Sequence, residues 1–212
     1  LGALGITAEG RYELIAFRAA RSEADGPWTG FCQDLVERGL VGTALQIVAI
    51  DEKASLKNAV AFCWPKAPIQ TCRFHKLATL RRNLCGHSQR REILQEACRI
   101  YHAPTARAAL TRATTWRRRW KDVAPRAARC FWKGIDETFS FYALPRAWWH
   151  WATTTNALER FCKSIRAKTR GWGSFQDAAS CEAILYALTA DYNQQQYQKG
   201  NPLNQNQSPQ DP

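Results

Sequence analysis

The feature that most restricts the fold is a nearly unbroken apolar segment, Ala44–Ile50, which ends abruptly at Asp51. Such a run is typical of a strand that is buried on both faces of a sheet. Residues 53–62 have the pattern of a short helix, and residues 68–72 have that of another short strand. Two strands joined by one helix predict a right-handed parallel crossover, so we expect the first half of the chain to be α/β.

The segments on either side of this crossover also have clear patterns. Residues 1–6 and 11–18 are typical of two hairpin strands, joined by the turn residues Thr7–Gly10. Residues 22–39 carry apolar side chains at helical spacing and end at a glycine, which predicts a helix. From residue 75 to about 139, strand patterns give way to apolar residues at helical spacing among many arginines. We therefore expect a large helical insertion.

These patterns divide the chain into four segments. Residues 1–72 are predicted to form the first part of an α/β core, and residues 73–152 a strongly basic helical insertion. Residues 153–193 are predicted to return to the core as two further helices. Residues 194–212 are rich in Gln, Asn and Pro, and we expect a disordered tail there.

Positive charge is concentrated in the middle of the chain. The net charge is +12, and residues 61–170 hold 23 basic but only six acidic side chains. Such a block is expected of a surface that faces a polyanion, although a solvated helical face has the same composition. Most of the nine tryptophans lie in this block, and both arginine and aromatic side chains stack on bases. We therefore expect nucleic-acid binding, with residues 116–120 (Trp, Arg117, Arg118, Arg119, Trp) as the densest cluster.

The cysteine pattern and the lengths of the apolar runs indicate the cellular compartment in which we expect the protein. Eight cysteines are spread along the chain without a CxxC pair, and no signal peptide opens the sequence. We therefore expect free thiols in a reducing cytoplasm. No apolar run approaches the roughly 20 residues that span a bilayer, so we expect no membrane partner. No glycine-rich phosphate loop is present either, which leaves nucleotide-driven chemistry without support.

Asp51 is the first candidate functional residue because it directly follows the central strand. In open α/β sheets, ligands and metals bind at the carboxyl ends of the strands. The alternative is that Asp51 is the N-cap of the next helix. Position alone favours the N-cap.

Glu159 is the second candidate. It precedes Lys163, Arg166 and Arg170 at intervals that place all four residues on one helical face. One carboxylate ahead of three cations suits a site that holds a divalent metal beside phosphates. If Asn156 is the N-cap, however, Glu159 occupies the third helical position and the two residues form a capping box. Spacing alone favours the capping box.

Cys72 and His75 have the spacing of half a zinc site. Cys85 and His87 lie too close together to form the usual second half. We therefore favour roles for Cys72 and His75 in orienting neighbouring groups.

Several segments, taken in order, have a pattern that is found in a known family. They are TAEGRYELIAF (7–17), Trp28, LVERGL (35–40), Asp51, TCRFHKL (71–77), TTNALER (154–160) and KTR (168–170). Together these segments resemble the Mutator-type transposases of bacterial insertion sequences, which are kin of the eukaryotic Mutator-like elements. The resemblance runs from Leu1 to about Asn193, and CRFHK and TTNALER are its most specific parts.

The resemblance implies a ribonuclease-H-like mixed sheet with a large all-helical insertion before the last catalytic helix. It implies a DDE carboxylate triad in which Asp51 is the second Asp and Glu159 the Glu, both holding Mg²⁺, with Mn²⁺ as a substitute. Cys72 and His75 match the CxxH signature of the family. The first Asp belongs on a strand ahead of the hairpin. Because the sequence starts at Leu1 and has no methionine, we expect an N-terminal truncation that leaves these 212 residues inactive.

The implied activity is DNA cleavage and strand transfer, which moves an insertion sequence. The implied partners are double-stranded DNA, both as the terminal inverted repeats and as the target, and further copies of the chain in a homo-oligomer. The place of action would be the nucleoid in the bacterial cytoplasm. We expect the DNA contacts at Arg117, Arg118, Arg119, Arg160, Lys163, Arg166, Lys168 and Arg170.

The chain departs from the family pattern just after the second Asp. Family members usually carry Gly after that Asp and a second Gly further on, whereas this chain has Glu52 and Ser55.

There are two alternatives to the transposase hypothesis. A non-catalytic DNA-binding remnant or domesticated transposase would bind DNA in a salt-sensitive way without metal-dependent cleavage. An unrelated ribonuclease-H-like nuclease would cut DNA but never join an end to a target.

Overall fold

The computed structural model describes residues 1–20, 22–172 and 177–198. They divide into two compact units: unit 1 combines Leu1–Leu40 with the described residues from Asn156 onward, and unit 2 is Val41–Thr155. Strands and helices occur in both, which confirms the α/β class. The elements are β1 (Gly2–Ile6), β2 (Tyr12–Phe17), α1 (Asp25–Glu37), β3 (Val48–Ile50), α2 (Ala54–Cys63), β4 (Ile69–Thr71), α3 (Arg73–Asn83), α4 (Arg90–Ile100), α5 (Ala106–Trp120), α6 (Pro125–Trp132), α7 (Trp149–Ala152), α8 (Asn156–Thr169) and α9 (Ala178–Gln198).

The predicted hairpin is confirmed in unit 1, where β1 and β2 pair antiparallel. Gly10 closes the turn with a φ of 77°, a conformation that a residue with a Cβ atom seldom adopts. The register shifts between Ala3 and Leu4, so that Ile15 is the extra residue on β2. Its carbonyl accepts a hydrogen bond from the Arg38 guanidinium at 3.1 Å. The bulge is therefore tied to the residue after α1.

The edge of β2 is covered by a side chain from α9. The Leu14 N–H donates to Asn193 Oδ1 at 2.7 Å, and Asn193 Nδ2 donates to the Leu14 carbonyl at 3.0 Å. A carboxamide has one donor and one acceptor side, so it pairs with the strand edge as a neighbouring peptide would. The described strands form two two-stranded sheets, β1–β2 and β3–β4.

Unit 1 has a small apolar core between the hairpin and the two C-terminal helices. Phe161 of α8 packs edge-on against Phe17 of β2, with the ring centroids 5.2 Å apart. The buried residues of this core are Leu14, Phe161, Ile165 and Leu185.

Unit 2 contains the predicted crossover, since β3 and β4 pair in parallel and α2 connects them. The strand β3 is shorter than the apolar run predicts, because residues 42–44 form a 3₁₀ turn and only Val48–Ile50 pair with β4. The helices from α3 to α6 pack around a larger core, which includes Leu80, Ile93 and Phe131. The predicted helical character of this region is therefore confirmed.

The helical region belongs to the same compact unit as β3 and β4. Gln70 of β4 is fully buried, and its side chain donates to the Thr138 carbonyl at 3.0 Å and accepts from the Phe141 N–H at 2.9 Å. These bonds join β4 to the segment after α6. The compact division therefore falls near residues 40 and 155, whereas the sequence pattern suggested residues 72 and 152.

Several simpler expectations can also be compared with the structure. All eight cysteines are free thiols. Helix α9 continues to Gln198, beyond the predicted start of the tail, and residues 199–212 lie outside the described residues. In the described part of the chain, no helix combines the length and the apolar character needed to cross a bilayer.

Candidate functional site

The carboxyl ends of β3 and β4 bring two of the predicted site residues to one edge. Ile50 and Thr71 are register partners, and the N–H of Cys72 donates to the Ile50 carbonyl at 2.7 Å. Asp51 and Cys72 therefore follow the two strands at the same level. This is the edge at which open α/β sheets bind ligands.

Asp51 is not the N-cap of α2. The helix begins at Ala54, with Lys53 in the N-cap position. Asp51 is half-buried, and its Oδ1 atom is shielded from solvent. The N-cap alternative is thereby removed, and a carboxylate oxygen remains in a protected position at the strand edge.

The carboxylate of Glu52 is engaged by a buried lysine. Lys76 Nζ lies 2.6 Å from Glu52 Oε1 and also donates to the Lys133 carbonyl, and the Lys76 side chain is only 2% exposed. A buried ammonium needs a charged or polar partner, because its desolvation is costly. Glu52 therefore neutralises Lys76. Ser55, the other departure, lies in the first turn of α2.

A second carboxylate approaches the end of β4 from the helical region. Thr71 Oγ1 donates to Glu137 Oε2 at 3.2 Å, and Lys57 of α2 forms an ion pair with the same carboxylate. Glu137 thus connects the end of β4 to the crossover helix. Sequence reasoning did not identify Glu137, which follows β4 by more than sixty residues.

The CxxH segment holds the stretch of chain that precedes α8. Thr155 Oγ1 donates to Cys72 Sγ at 3.5 Å and lies 3.5 Å from His75 Nδ1. The N–H of Arg73 donates to the Thr153 carbonyl at 3.1 Å. Three residues of one helical turn therefore contact the last residues of unit 2. This agrees with the orienting role that we favoured for Cys72 and His75.

The other two residues of the zinc alternative, Cys85 and His87, have different surroundings. Cys85 is exposed, and His87 Nε2 lies 3.2 Å from the Val123 carbonyl. Across the described residues, no three His, Cys, Asp or Glu side chains come together as a metal-binding group.

Glu159 lies in unit 1, in the first turn of α8, and it is half-buried. The helix begins at Asn156, so Thr155 precedes it in the N-cap position that the capping-box alternative gives to Asn156. Arg160, Lys163 and Arg166 are exposed along the same helix. A partly protected carboxylate therefore stands at the start of a helix with a cationic outer surface.

The other predicted DNA-binding cations differ in how they are engaged. Lys168 pairs with Asp191 of α9 at 3.1 Å, and Arg170 is exposed just after α8. In the 116–120 cluster, Arg119 pairs with Glu92 and Glu96, whereas Arg118 is exposed. Arg117 is also exposed, with its guanidinium 4.6 Å from the ring centre of Trp132.

The expectation that the tryptophans stack on bases is wrong for this cluster. Trp116 and Trp120 are 3% and 1% exposed, and both point into the core of unit 2. Their indole N–H groups donate to the Ile93 carbonyl and to Glu96 Oε2. Helical spacing explains the result, because positions 109, 113, 116 and 120 form the apolar stripe of α5.

The carboxylates of Asp51 and Glu159 are chemically suited to Mg²⁺, which prefers hard oxygen ligands. The protected Oδ1 of Asp51 at the strand edge agrees with that role. Asp51 belongs to unit 2 and Glu159 to unit 1, so each is described within its own unit.

The proteins to which this chain is similar are transposases of insertion sequence elements. A family model described as "Transposase, Mutator family" matches residues 1–200, and the chain therefore belongs to the Mutator family of transposases, a class of DNA-processing enzymes. This confirms the resemblance drawn from the CRFHK and TTNALER segments.

Three relatives illustrate the similarity. The transposase for insertion sequence element IS406 of Burkholderia multivorans is 31% identical over 192 residues, which are 89% of this chain and 48% of the relative. The IS element ISRM5 transposase of Rhizobium meliloti is 30% identical over 89% of this chain and 47% of its own length. The IS1081 transposase of Mycobacterium tuberculosis is 30% identical, with corresponding shares of 89% and 45%. The chain spans about half the length of these relatives.

Proposed function

We propose that this chain forms part of the catalytic core of a DDE transposase, which cleaves the ends of an insertion sequence and joins them to target DNA in Mg²⁺-dependent reactions. The observation that carries the proposal is the position of Asp51, at the carboxyl edge of a parallel pair beside Cys72 of the CxxH segment. Membership of a transposase family supports it. We further propose a ribonuclease-H-like core, of which β1 to β4 are part.

In this proposal Asp51 and Glu159 are metal ligands, each held by its own element. Strand pairing fixes the backbone beside Asp51, and the first turn of α8 fixes Glu159. When bound, Mg²⁺ would lower the pKa of an attacking water or 3′-hydroxyl and stabilise the leaving oxygen. Mn²⁺ would serve in its place. The resemblance puts a further Asp ahead of β1, so we propose that residues 1–212 alone bind DNA without cleaving it.

The cations around Glu159 would bind the phosphates that flank the reacting bond. Arg160, Lys163, Arg166 and Arg170 are exposed and form no ion pair with any described residue. Phosphate contacts of this kind position DNA without reading its sequence, and they weaken as salt rises. We propose that the complete protein acts as a homo-oligomer on both element ends, at the bacterial nucleoid.

The test uses the complete reading frame that encodes this chain, with labelled element-end DNA and Mg²⁺. Asp51→Asn and Glu159→Gln should each reduce cleavage by about a thousandfold or more, the equivalent of about 4 kcal/mol of transition-state stabilisation. DNA affinity should change by less than about twofold, because each substitution removes a single carboxylate charge and leaves the cations that contact the phosphates in place. Gel analysis of cleavage and strand-transfer products, with filter binding in parallel, measures both.

Asp122→Asn and Glu182→Gln are the matched controls, since both residues are exposed carboxylates, Asp122 just after α5 and Glu182 on α9. Both controls should cleave at the unsubstituted rate. Undiminished cleavage by either site variant would contradict the assignment of that residue. Binding without any cleavage by the unsubstituted protein would favour the remnant, and cleavage without joining would favour the simple nuclease.

A further inference from the structure

Helix α5 presents an unusually one-sided surface. It contains five arginines and no acidic residue. Ala109, Ala113, Trp116 and Trp120 occupy its buried face, so the arginines are all exposed. A helix that carries five positive charges and no negative charge favours a polyanionic partner.

The arginines of α5 are not equally available to a partner. Arg119 is held by Glu92 and Glu96 of α4, and Arg117 lies over the ring of Trp132. Arg107 and Arg112, in contrast, form no ion pair within the described part of the chain. The positive charge of an exposed arginine without a carboxylate partner is not neutralised within the protein, so it can interact with a bound anion.

Arg112 is also held in place by a bond that does not neutralise it. Its Nη1 donates to the Arg99 carbonyl at the end of α4, at 2.9 Å. The guanidinium has five donors, so most of them stay available after this bond forms. Arg99 is exposed beside it and adds a further cation.

Two adjoining open grooves lie on this surface, and Arg107 lines the first whereas Arg112 lines both. One groove, of about 650 Å³, is lined by Arg107, Ala108 and Arg112, and the other, of about 480 Å³, by Arg99, Arg112 and Thr115. Thr111 and Arg112 belong to both. The other residues that line the first groove, Thr105, Ala108 and Thr111, have small side chains. Glu96 also lines the second groove, but its carboxylate is occupied by Arg119 and Trp120.

We propose that the two adjoining grooves act together, as one groove on α4 and α5, and bind the phosphate backbone of double-stranded DNA, with Arg107 and Arg112 as the two principal phosphate contacts. The inference rests on the proposed function and assigns phosphate contacts to two arginines that do not belong to the 116–120 cluster. The two arginines are five residues apart, which is about 7.5 Å along a helix. That separation allows them to reach different phosphates of one strand, since phosphates advance about 3.4 Å per nucleotide along the duplex axis.

The test measures the salt dependence of binding between the full 212-residue chain and a labelled duplex. Each phosphate contact contributes about 0.9 to the slope of log affinity against log salt. The double variant Arg107→Gln/Arg112→Gln should therefore lower the slope by about 1.8 and weaken binding in 0.1 M salt by about tenfold or more. The matched control is Arg126→Gln/Arg129→Gln on α6, which removes two exposed arginines and the same net charge. Its slope should stay within about 0.5 of the unsubstituted value.

Three results would overturn the inference, and they are distinguishable. An unchanged slope in the Arg107/Arg112 variant, with DNA binding intact, removes the groove but leaves the proposed function standing. An equal loss in both double variants shows a general effect of net charge. No duplex binding by the unsubstituted chain contradicts the proposed function itself. Circular dichroism of each variant confirms that the helices are retained, because all four positions are exposed.

Discussion

At the scale of single residues, the indole groups of Trp116 and Trp120 anchor α5 against α4. The Trp120 N–H donates to Glu96 Oε2 at 2.7 Å, and the Trp116 ring packs against Phe131 with 4.7 Å between centroids. The carboxylate of Glu96 is therefore shared between an indole and the guanidinium of Arg119. One acidic residue thus stabilises the core and removes a cation from the set available to DNA.

We predict that Trp120→Ala lowers the free energy of unfolding by about 3–5 kcal/mol, because it leaves a large cavity in the core of unit 2. Trp120→Phe should cost about 1.5–3 kcal/mol, because the hydrogen bond to a charged acceptor is lost. Urea unfolding followed by circular dichroism measures both.

Arg118→Gln is the control for this pair, since Arg118 is exposed in the same turn, and it should change stability by less than about 0.5 kcal/mol. Unchanged stability of Trp120→Ala together with weaker DNA binding would show instead that the indole stacks on bases.

At the scale of elements, the hairpin depends on a helix from the other end of the sequence. The backbone of Leu14 is bonded in both directions by the Asn193 carboxamide, across a separation of 179 residues. Leu14 is itself 2% exposed, so water cannot replace those bonds. The last helix therefore completes the first sheet.

We predict that Asn193→Ala destabilises unit 1 by about 1–3 kcal/mol, because a buried N–H and a buried carbonyl both lose their partner. Hydrogen exchange at the Leu14 amide should accelerate in the same variant. Gln194→Ala, an exposed neighbour on α9, should leave both quantities unchanged. Unaltered exchange at Leu14 in Asn193→Ala would mean that another group covers the strand edge.

Local pattern predicted the elements better than their partners. The hairpin, the crossover and the helical region follow from periodicity, which reports which side chains face inward. The contacts of Asn193 with Leu14 and of Glu137 with Thr71 join residues far apart in the chain, and no local signal marks them. For the site, strand-end position makes Asp51 a candidate, whereas the Lys76 partner of Glu52 required the folded arrangement. The tryptophans of α5 were misassigned because burial and base stacking use the same residue type.

At the scale of the whole molecule, the two units differ in how the chain builds them. Unit 2 is one continuous segment, Val41–Thr155, and the apolar core centred on α3 to α6 lies within it. Unit 1 needs both ends of the sequence. A continuous segment with its own core can fold by itself.

We predict that residues 41–155, produced alone, fold cooperatively. Thermal unfolding followed by circular dichroism should give one sigmoidal transition with a helical spectrum. Residues 1–40 produced alone should give none, because their core partners Phe161 and Leu185 lie on α8 and α9. A gradual, non-cooperative loss of helicity in residues 41–155 would contradict the independence of unit 2.

The bond between Leu14 and Asn193 also sets an order of events on the ribosome. The hairpin is synthesised before α9, and its edge stays open until α9 has left the exit tunnel. Residues 41–155 emerge before α9 and can therefore fold before that edge is covered. Exposed strand edges pair readily with other chains. A chain that terminates between residues 170 and 190 should therefore be released with an open strand edge and collect in inclusion bodies, whereas one that terminates after Gln198 should not.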